Sequence, residues 1–327
     1  MDKIAFPYRA SSHLPLLHVI SESGSWEKYG LDVEYDRKIS SSGAHAAVLS
    51  GDVEFVGGNH VSTYGHRARG DEWVYLGQTI NTVSRQLVVR ADAGIDGVSD
   101  LREKVVGTRG SHPHLNDWLF LKQRGLDVDR DDVKIVDQIH HGKGSLDPTN
   151  PQSEDDVEPL WHWVRDRKVD AAFLTPPSSV FAKAAGLKAI DVEPLPMIYF
   201  TTLSSSLRFV ERHPDIVERF LKGVIEGIHF FKTEPEKSIR IIRDRYANEG
   251  RMDDATAAQT HAFLAHQFEP RLYPTMAAIA NVYEEAIRQD KDAKRINPME
   301  LWDLHFVRRL DDMGFADGLY GNKRPSR

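Results

Sequence analysis

Cysteine is absent from the 327 residues of this chain. Its absence excludes thiol nucleophiles, disulfide bonds, iron–sulfur clusters and zinc sites with cysteine ligands. The chain also lacks an excess of positive charge, because its 42 Lys and Arg residues are outnumbered by 49 Asp and Glu residues, giving a net charge of −7. A mildly acidic chain is not expected to bind nucleic acid or an anionic membrane surface without specificity.

Long apolar runs are missing as well. No stretch of the sequence approaches the ~20 apolar residues that a bilayer-spanning helix needs, so no membrane insertion is expected. The start, Met1–Phe6, shows no basic segment followed by an apolar segment and a small-residue cleavage site. We therefore expect a cytoplasmic protein, or a periplasmic one if a signal peptide once preceded this sequence.

The remaining composition is that of a globular protein, with 40% apolar and 28% charged residues. In the first half, short apolar strands alternate with helical segments, which predicts an α/β sheet. One of these segments is predicted as a helix over Leu14–Tyr29, ending at Gly30. The chain after Pro214 is mostly helical in pattern. His140–Glu158 has no apolar periodicity and is predicted to be either a lid or a disordered insertion.

Four segments resemble one known family when they are read together. They are Leu14–Glu34, Ala46–Phe55, Gly97–Ser111 with Gly125–Asp127 after the next helix, and Val169–Phe173 with Ala185 and Gly186 behind it. Their order and spacing resemble the solute-binding proteins for sulfonates, taurine, nitrate and thiamine-pyrimidine precursors, within the NMT1/THI5-like family. The resemblance covers roughly residues 1–245.

This resemblance implies the α/β fold of the type 2 periplasmic binding proteins, with two lobes, a ligand cleft between them and a helical C-terminal region. Lobe one would contain residues 1–90 and 200–327, and lobe two residues 91–199 with a lid-like insertion at 140–158. In such folds helix N-termini meet beyond the carboxyl ends of the strands, where free N–H groups favour small anions.

The same fold also carries cytosolic enzymes that this sequence resembles: a desulfinase of aromatic sulfur metabolism, dihydroxyphthalate-type decarboxylases and a pyrimidine synthase. The desulfinase uses a cysteine nucleophile in the loop after the first strand. The matching loop here, Tyr8–His13, contains serine and no cysteine, so desulfination by that route is not expected.

Histidine is the candidate proton carrier, because its imidazole titrates near neutral pH and can act as a general acid or base. We predict His60, His112 and His13 as catalytic residues facing one cleft. Arg109 suits a carboxylate through two parallel N–H bonds, while serines at a helix start suit an acid group or simply cap the helix. The predicted substrate-binding residues are Arg9, Ser11, Ser12, Ser41, Ser42, Gly43, Asn59, Arg109, Gly110, Ser111, His114 and Thr175.

The resemblance, taken with these residues, implies two functions, and both stay open. One is a cytosolic lyase that decarboxylates a small, aromatic organic acid without an organic cofactor. The other is the solute-binding component of an importer, with a membrane permease as its partner, for a sulfonate, carboxylate or thiamine-pyrimidine-like precursor. A metal held by two histidines and one carboxylate from distant positions stays possible. His45 is interpreted as a structural residue of a helix.

Overall fold

The computed structural model describes residues 1–9, 11–58, 60–108, 115–128, 130–137, 158–245 and 252–321. Ten strands lie within these ranges: β1 (Asp2–Ala5), β2 (Leu31–Glu34), β3 (Val56–Gly57), β4 (Trp73–Val83), β5 (Gln86–Val89), β6 (Val105–Thr108), β7 (Lys134–Asp137), β8 (Ala171–Leu174), β9 (Lys188–Asp191) and β10 (Leu195–Ser206).

The α-helices of the same ranges are α1 (Leu14–Glu22), α2 (Ser41–Ser50), α3 (Ser62–Ala68), α4 (Leu115–Gln123), α5 (Leu160–Arg165), α6 (Ser178–Ala184), α7 (Leu207–Arg212), α8 (Pro214–Thr233), α9 (Pro235–Arg245), α10 (Asp254–Gln267), α11 (Met276–Gln289), α12 (His305–Asp312) and α13 (Phe315–Leu319). Within this part of the chain, no helix has both the length and the apolar character needed to cross a membrane.

The chain divides into two compact units. The first contains Met1–Val83, Pro196–Ala247 and Arg251–Arg327, and the second contains Ser84–Leu195 and Asn248–Gly250. The predicted lobes and the lid-like insertion stay predictions, and residues 138–157 of that insertion lie outside the described residues.

Two sheets lie in the first unit. Strands β1 and β2 pair in parallel, with Ile4 opposite Val33. The second sheet has the order β3-β10-β4, and β10 runs antiparallel to β3 with Leu203 opposite Gly57. A large buried core joins the faces of these sheets to α1 and α8. Within it Phe55 and Phe220 stack at 3.9 Å between ring centroids.

The second unit has a mixed five-stranded sheet of order β7-β6-β8-β5-β9. Strand β6 is parallel to both β7 and β8, whereas β5 is antiparallel to β8 and β9. Its strands are short, and their burial differs: β8 is buried at all four residues, whereas the residues of β9 are exposed or half-buried.

The predicted helix over Leu14–Tyr29 is shorter than expected. Helix α1 ends at Glu22, because Gly24 adopts a positive φ of 70° and a separate 3-10 turn forms at Glu27–Tyr29. The predicted stop at Gly30 is confirmed, since this residue has a φ of 73° in the left-handed region that glycine tolerates. The apolar spacing continues across the break because Trp26 still packs into the core.

Helix α8 approaches α1 and its following turn very closely at two glycines. A Cβ at Gly223 would lie 2.3 Å from Cδ1 of Trp26, and one at Gly227 would lie 2.5 Å from Cγ1 of Ile20. Trp26 is 2% exposed and its ring packs at 6.0 Å against that of Phe220. The absence of side chains at these two positions therefore allows the packing.

We expect Gly223→Ala to be about 1–3 kcal/mol less stable than Gly318→Ala, because extra atoms in a filled core force neighbouring groups to shift. Gly318 also lies in a helix but has open space around its missing Cβ, so both variants share the gain in helix propensity. Urea unfolding of the two variants gives the difference. Equal midpoints would show that Trp26 moves aside freely.

Candidate functional site

A cluster of predicted site residues lies within the first unit, after the first strand. The backbone of Tyr8 is fixed on both sides, because its N–H donates to the carbonyl of Arg37 and its own carbonyl accepts from Ile39. Arg9 follows directly. The 3-10 turn Ser11–His13 then leads into α1, which places His13 at the N-terminal cap of that helix with only 7% of its surface exposed.

Two glycines at the end of β3 make room for these side chains. Gly58 has a φ of 106°, and a Cβ there would lie 2.5 Å from Nη1 of Arg9. A Cβ at Gly57 would lie 2.9 Å from Cγ2 of Thr201 and 3.6 Å from Nδ1 of His13. The N–H of Gly58 donates to the carbonyl of Thr202 at 3.0 Å, which holds this backbone against β10. The guanidinium and an imidazole thus approach the main chain where side chains are missing.

Both imidazoles of this cluster are neutral at physiological pH. Burial, followed by the positive charges of Arg9 and of a protonated His60, lowers the pKa of His13 to about 3. Burial and the charge of Arg9 also lower the pKa of His60 to about 3, against a backbone hydrogen bond with Phe200 that raises it. The charged group that acts on both rings is therefore a cation.

His60 carries an unsatisfied polar atom. Its Nε2 is buried, and no residue of the described ranges makes a hydrogen bond to it. Buried polar atoms normally have a protein or water partner. The atom is therefore available to a ligand that enters beside Arg9.

Aromatic rings lie against this polar cluster. The ring of Phe200 lies 5.0 Å from that of His13 and 5.7 Å from that of Phe268. Phe200 adopts a φ of 67° within β10, which is strained for an aromatic residue. The positive charge of Arg9 also acts on Tyr75 and favours a lower pKa of its hydroxyl. Burial is the larger effect, and it raises that pKa. The Tyr75 hydroxyl is hydrogen-bonded to that of Thr63.

The helix start at Ser40–Gly43 is capped internally. The Ser40 side chain accepts a hydrogen bond from the N–H of Gly43 at 3.1 Å. The sequence indicated free N–H groups here, but the N–H of Gly43 is used by the cap, as the alternative interpretation held. The side chains of Ser11, Ser41 and Ser42 lie outside the described part of the structure.

The remaining predicted residues lie on an exposed turn, in the second unit or outside the described ranges. Ser12 is exposed. Thr175 lies in the second unit, where its carbonyl accepts from the N–H of Ser179. Six predicted residues lie outside the described ranges: Asn59, Arg109, Gly110, Ser111, His112 and His114. That His60 and His112 face one cleft therefore stays a prediction.

Sequence reasoning missed the aromatic residues of the site. Phe200 and Tyr75 lie on strands that look like ordinary core strands, and both are almost completely buried. A signal was present only for the glycine pair, since two consecutive glycines after a short apolar run indicate close backbone approach. Among the residues that the structure describes, a further group outside this cluster has donors suited to a metal, namely His45, His66 and Asp71.

Comparison with known proteins identifies the family. The sequence matches the NMT1/THI5-like family over residues 11–238, and the chain belongs to that family. No curated protein sequence matches the chain.

Solved structures show the fold. The alkanesulfonate-binding protein SsuA from Xanthomonas axonopodis pv. citri, bound to MOPS, is 14% identical with a TM-score of 0.63, over 92% of this chain and 98% of that one. The periplasmic aliphatic sulphonate-binding protein SsuA from Escherichia coli is 15% identical with a TM-score of 0.63, over 92% and 99%. The predicted type 2 periplasmic-binding-protein fold is confirmed.

An enzyme also shares this fold. The desulfurization enzyme DszB is 16% identical with a TM-score of 0.62, over 96% of this chain and 99% of that one. A variant of it has been solved in complex with biphenyl-2-sulfinic acid. Binding proteins and an enzyme are therefore both found among the structures that this chain resembles.

Proposed function

We propose that this chain binds a small organic anion, with a sulfonate or carboxylate group, at Arg9, His13 and His60, and that it delivers this solute to an importer. The observation that carries the proposal is the charge of the cluster. One guanidinium lowers the pKa of both neighbouring imidazoles, so the potential there is positive and an anion is attracted.

The donors suit the oxygens of such an anion. A guanidinium presents a planar set of N–H groups that bonds two oxygens at once. The buried Nε2 of His60 supplies a further contact, and the anion's negative charge would favour proton uptake by that ring. The ring of Phe200 beside His13 offers apolar contact to the remainder of the molecule.

Binding is favoured over acid–base catalysis by the same pKa values. A general base works best when its pKa lies near the working pH, whereas both imidazoles have a pKa of about 3. They are therefore weak proton acceptors at neutral pH until an anion is present. Decarboxylation of an aromatic acid stays a prediction, supported only by the occurrence of an enzyme on this fold.

The sulfonate-binding relatives support the importer role over the lyase role. As a solute-binding component the chain would act in the periplasm and meet a membrane permease. As a lyase it would act in the cytoplasm on its own. We propose the periplasmic location and the permease partner together with the importer role.

Calorimetric titration with a panel of alkanesulfonates, arenesulfonates, taurine, nitrate and aromatic carboxylates tests the proposal. We expect one member to bind with a stoichiometry of one and to be recovered unchanged after prolonged incubation. Carbon dioxide release is measured in parallel on every acid of the panel. Catalytic release from a bound acid would replace the importer role with the lyase role, and absence of binding across the panel would refute the anion site.

A further inference from the structure

Two histidines and one aspartate meet at the junction between α2, α3 and the turn after α3. Nε2 of His45 lies 2.8 Å from Oδ2 of Asp71, and Nδ1 of His66 lies 3.1 Å from the same oxygen. The two imidazole rings are 4.2 Å apart between centroids. One ligand atom from each residue lies within 4.8 Å of the others.

The local structure holds these side chains in place. His45 stacks on Trp73, with 5.0 Å between ring centroids and 12° between ring planes. The N–H of Asp71 donates to the carbonyl of His66 at 3.2 Å, and the carbonyl of Asp71 accepts from Nη1 of Arg67 at 3.1 Å. The donors therefore converge without a large rearrangement of the backbone.

The donors lie near the spacing of ligands around a transition metal. Imidazole nitrogen and carboxylate oxygen bind Zn²⁺ at about 2.0–2.2 Å in a tetrahedral arrangement, which separates neighbouring ligand atoms by about 3.4 Å. The two nitrogen–oxygen separations of 2.8 and 3.1 Å are hydrogen-bond distances, so small movements of the side chains would admit an ion. A set of two imidazoles and one carboxylate favours zinc and its transition-metal neighbours over magnesium and calcium, which prefer oxygen ligands.

The cluster is also open to solvent on one side. The side chains of His66 and Asp71 are 39% and 33% exposed, while that of His45 is 14% exposed. An ion could therefore enter from water and keep water or another ligand on its remaining coordination positions.

We propose that His45, His66 and Asp71 form a binding site for a divalent transition metal, with Zn²⁺ as the ion to test. The ion would occupy the space in which the two rings now share one carboxylate oxygen. By binding one histidine from each helix, the ion would link α2 to α3. Since α3 begins at Ser62, the ion would also stabilise the helix that follows His60.

The test measures Zn²⁺ affinity of the metal-stripped full chain by competition with a chromophoric chelator, and the visible absorption of the Co²⁺ form. We expect one equivalent of Zn²⁺ and a Co²⁺ spectrum that shows nitrogen ligands. Residues that only hydrogen-bond to metal ligands are worth about 10–100-fold in metal affinity. Loss of a ligand itself, in His66→Ala or Asp71→Asn, should therefore weaken Zn²⁺ binding by about 100-fold or more.

The matched control is His305→Ala. His305 also contacts a carboxylate, with Nδ1 2.5 Å from Oδ1 of Asp303, but it has no second histidine in that contact. This variant should bind Zn²⁺ as the unaltered chain does. The proposal is overturned if the unaltered chain binds no Zn²⁺ below millimolar concentration, or if both His66→Ala and Asp71→Asn, folded by circular dichroism, retain full affinity.

Discussion

Replacing Arg9 by glutamine is expected to weaken binding of the organic anion by about 30-fold or more. Removing one partner of a buried charge pair costs about 2–5 kcal/mol, and each 1.4 kcal/mol is about tenfold in affinity. Glutamine keeps a donor of smaller reach but carries no charge. Calorimetric titration first identifies the anion of the panel that binds best. The same titration on the Arg9→Gln variant then measures the loss of affinity for that anion.

Arg37→Gln is the control for that experiment. Arg37 belongs to the chain segment that pairs with Tyr8, but its guanidinium is exposed and contacts Glu34 at 3.3 Å. Its replacement changes the net charge by the same amount as Arg9→Gln and should leave the affinity unaltered. An equal loss in both variants would mean that net charge, and not the Arg9 site, attracts the anion.

The free protein should lose stability steeply in acid. His13 and His60 have a pKa of about 3 in the folded chain, against an ordinary value of 6.5. Between these values the unfolded chain binds more protons than the folded chain, so the free energy of unfolding falls as the pH falls. Once the unfolded chain is protonated, each ring contributes about 1.4 kcal/mol per pH unit. Because the unfolded chain is only half protonated at pH 6.5, the pair contributes about 3 kcal/mol between pH 6.5 and 5.

Urea unfolding at several pH values between about 8 and 5 measures this slope. Below pH 6.5, the free energy of unfolding of the His13→Gln variant should fall less steeply with pH, by about 1.4 kcal/mol per pH unit. This difference in slope does not depend on the variant's stability at neutral pH. His305→Gln replaces an exposed imidazole and is the matched control substitution. If His13→Gln retains the full slope, the ring of His13 is already protonated or accessible in the folded chain.

Much of the fold could be predicted because its signals are local. Apolar runs, glycine stops and the four motif segments together indicated the α/β fold and the family, and Gly30 ended its element as expected. The break in α1 was not predicted, since Trp26 keeps the apolar spacing after the helix has ended. The apolar periodicity of a sequence shows which residues are buried, not whether the helix between them is continuous. A turn between two buried segments can therefore leave that periodicity unchanged.

The candidate site was predicted only in part. Arg9, His13 and His60 were identified because their residue types carry chemistry, and the structure brings them together. Phe200 and Tyr75 were not, because a buried aromatic residue in a strand is ordinary in sequence. Their proximity depends on β10 returning beside β3, with Leu203 opposite Gly57, and a pairing between such distant segments leaves no local pattern.

The unusual backbone of Phe200 bears on any attempt to make this protein more heat-resistant. A left-handed conformation costs an L-amino acid roughly 1–2 kcal/mol, which glycine or asparagine avoids. A stability screen would therefore select those residues at position 200, and would discard the aromatic surface next to His13. Selection for thermal tolerance and selection for solute retention should consequently choose different side chains at this one position.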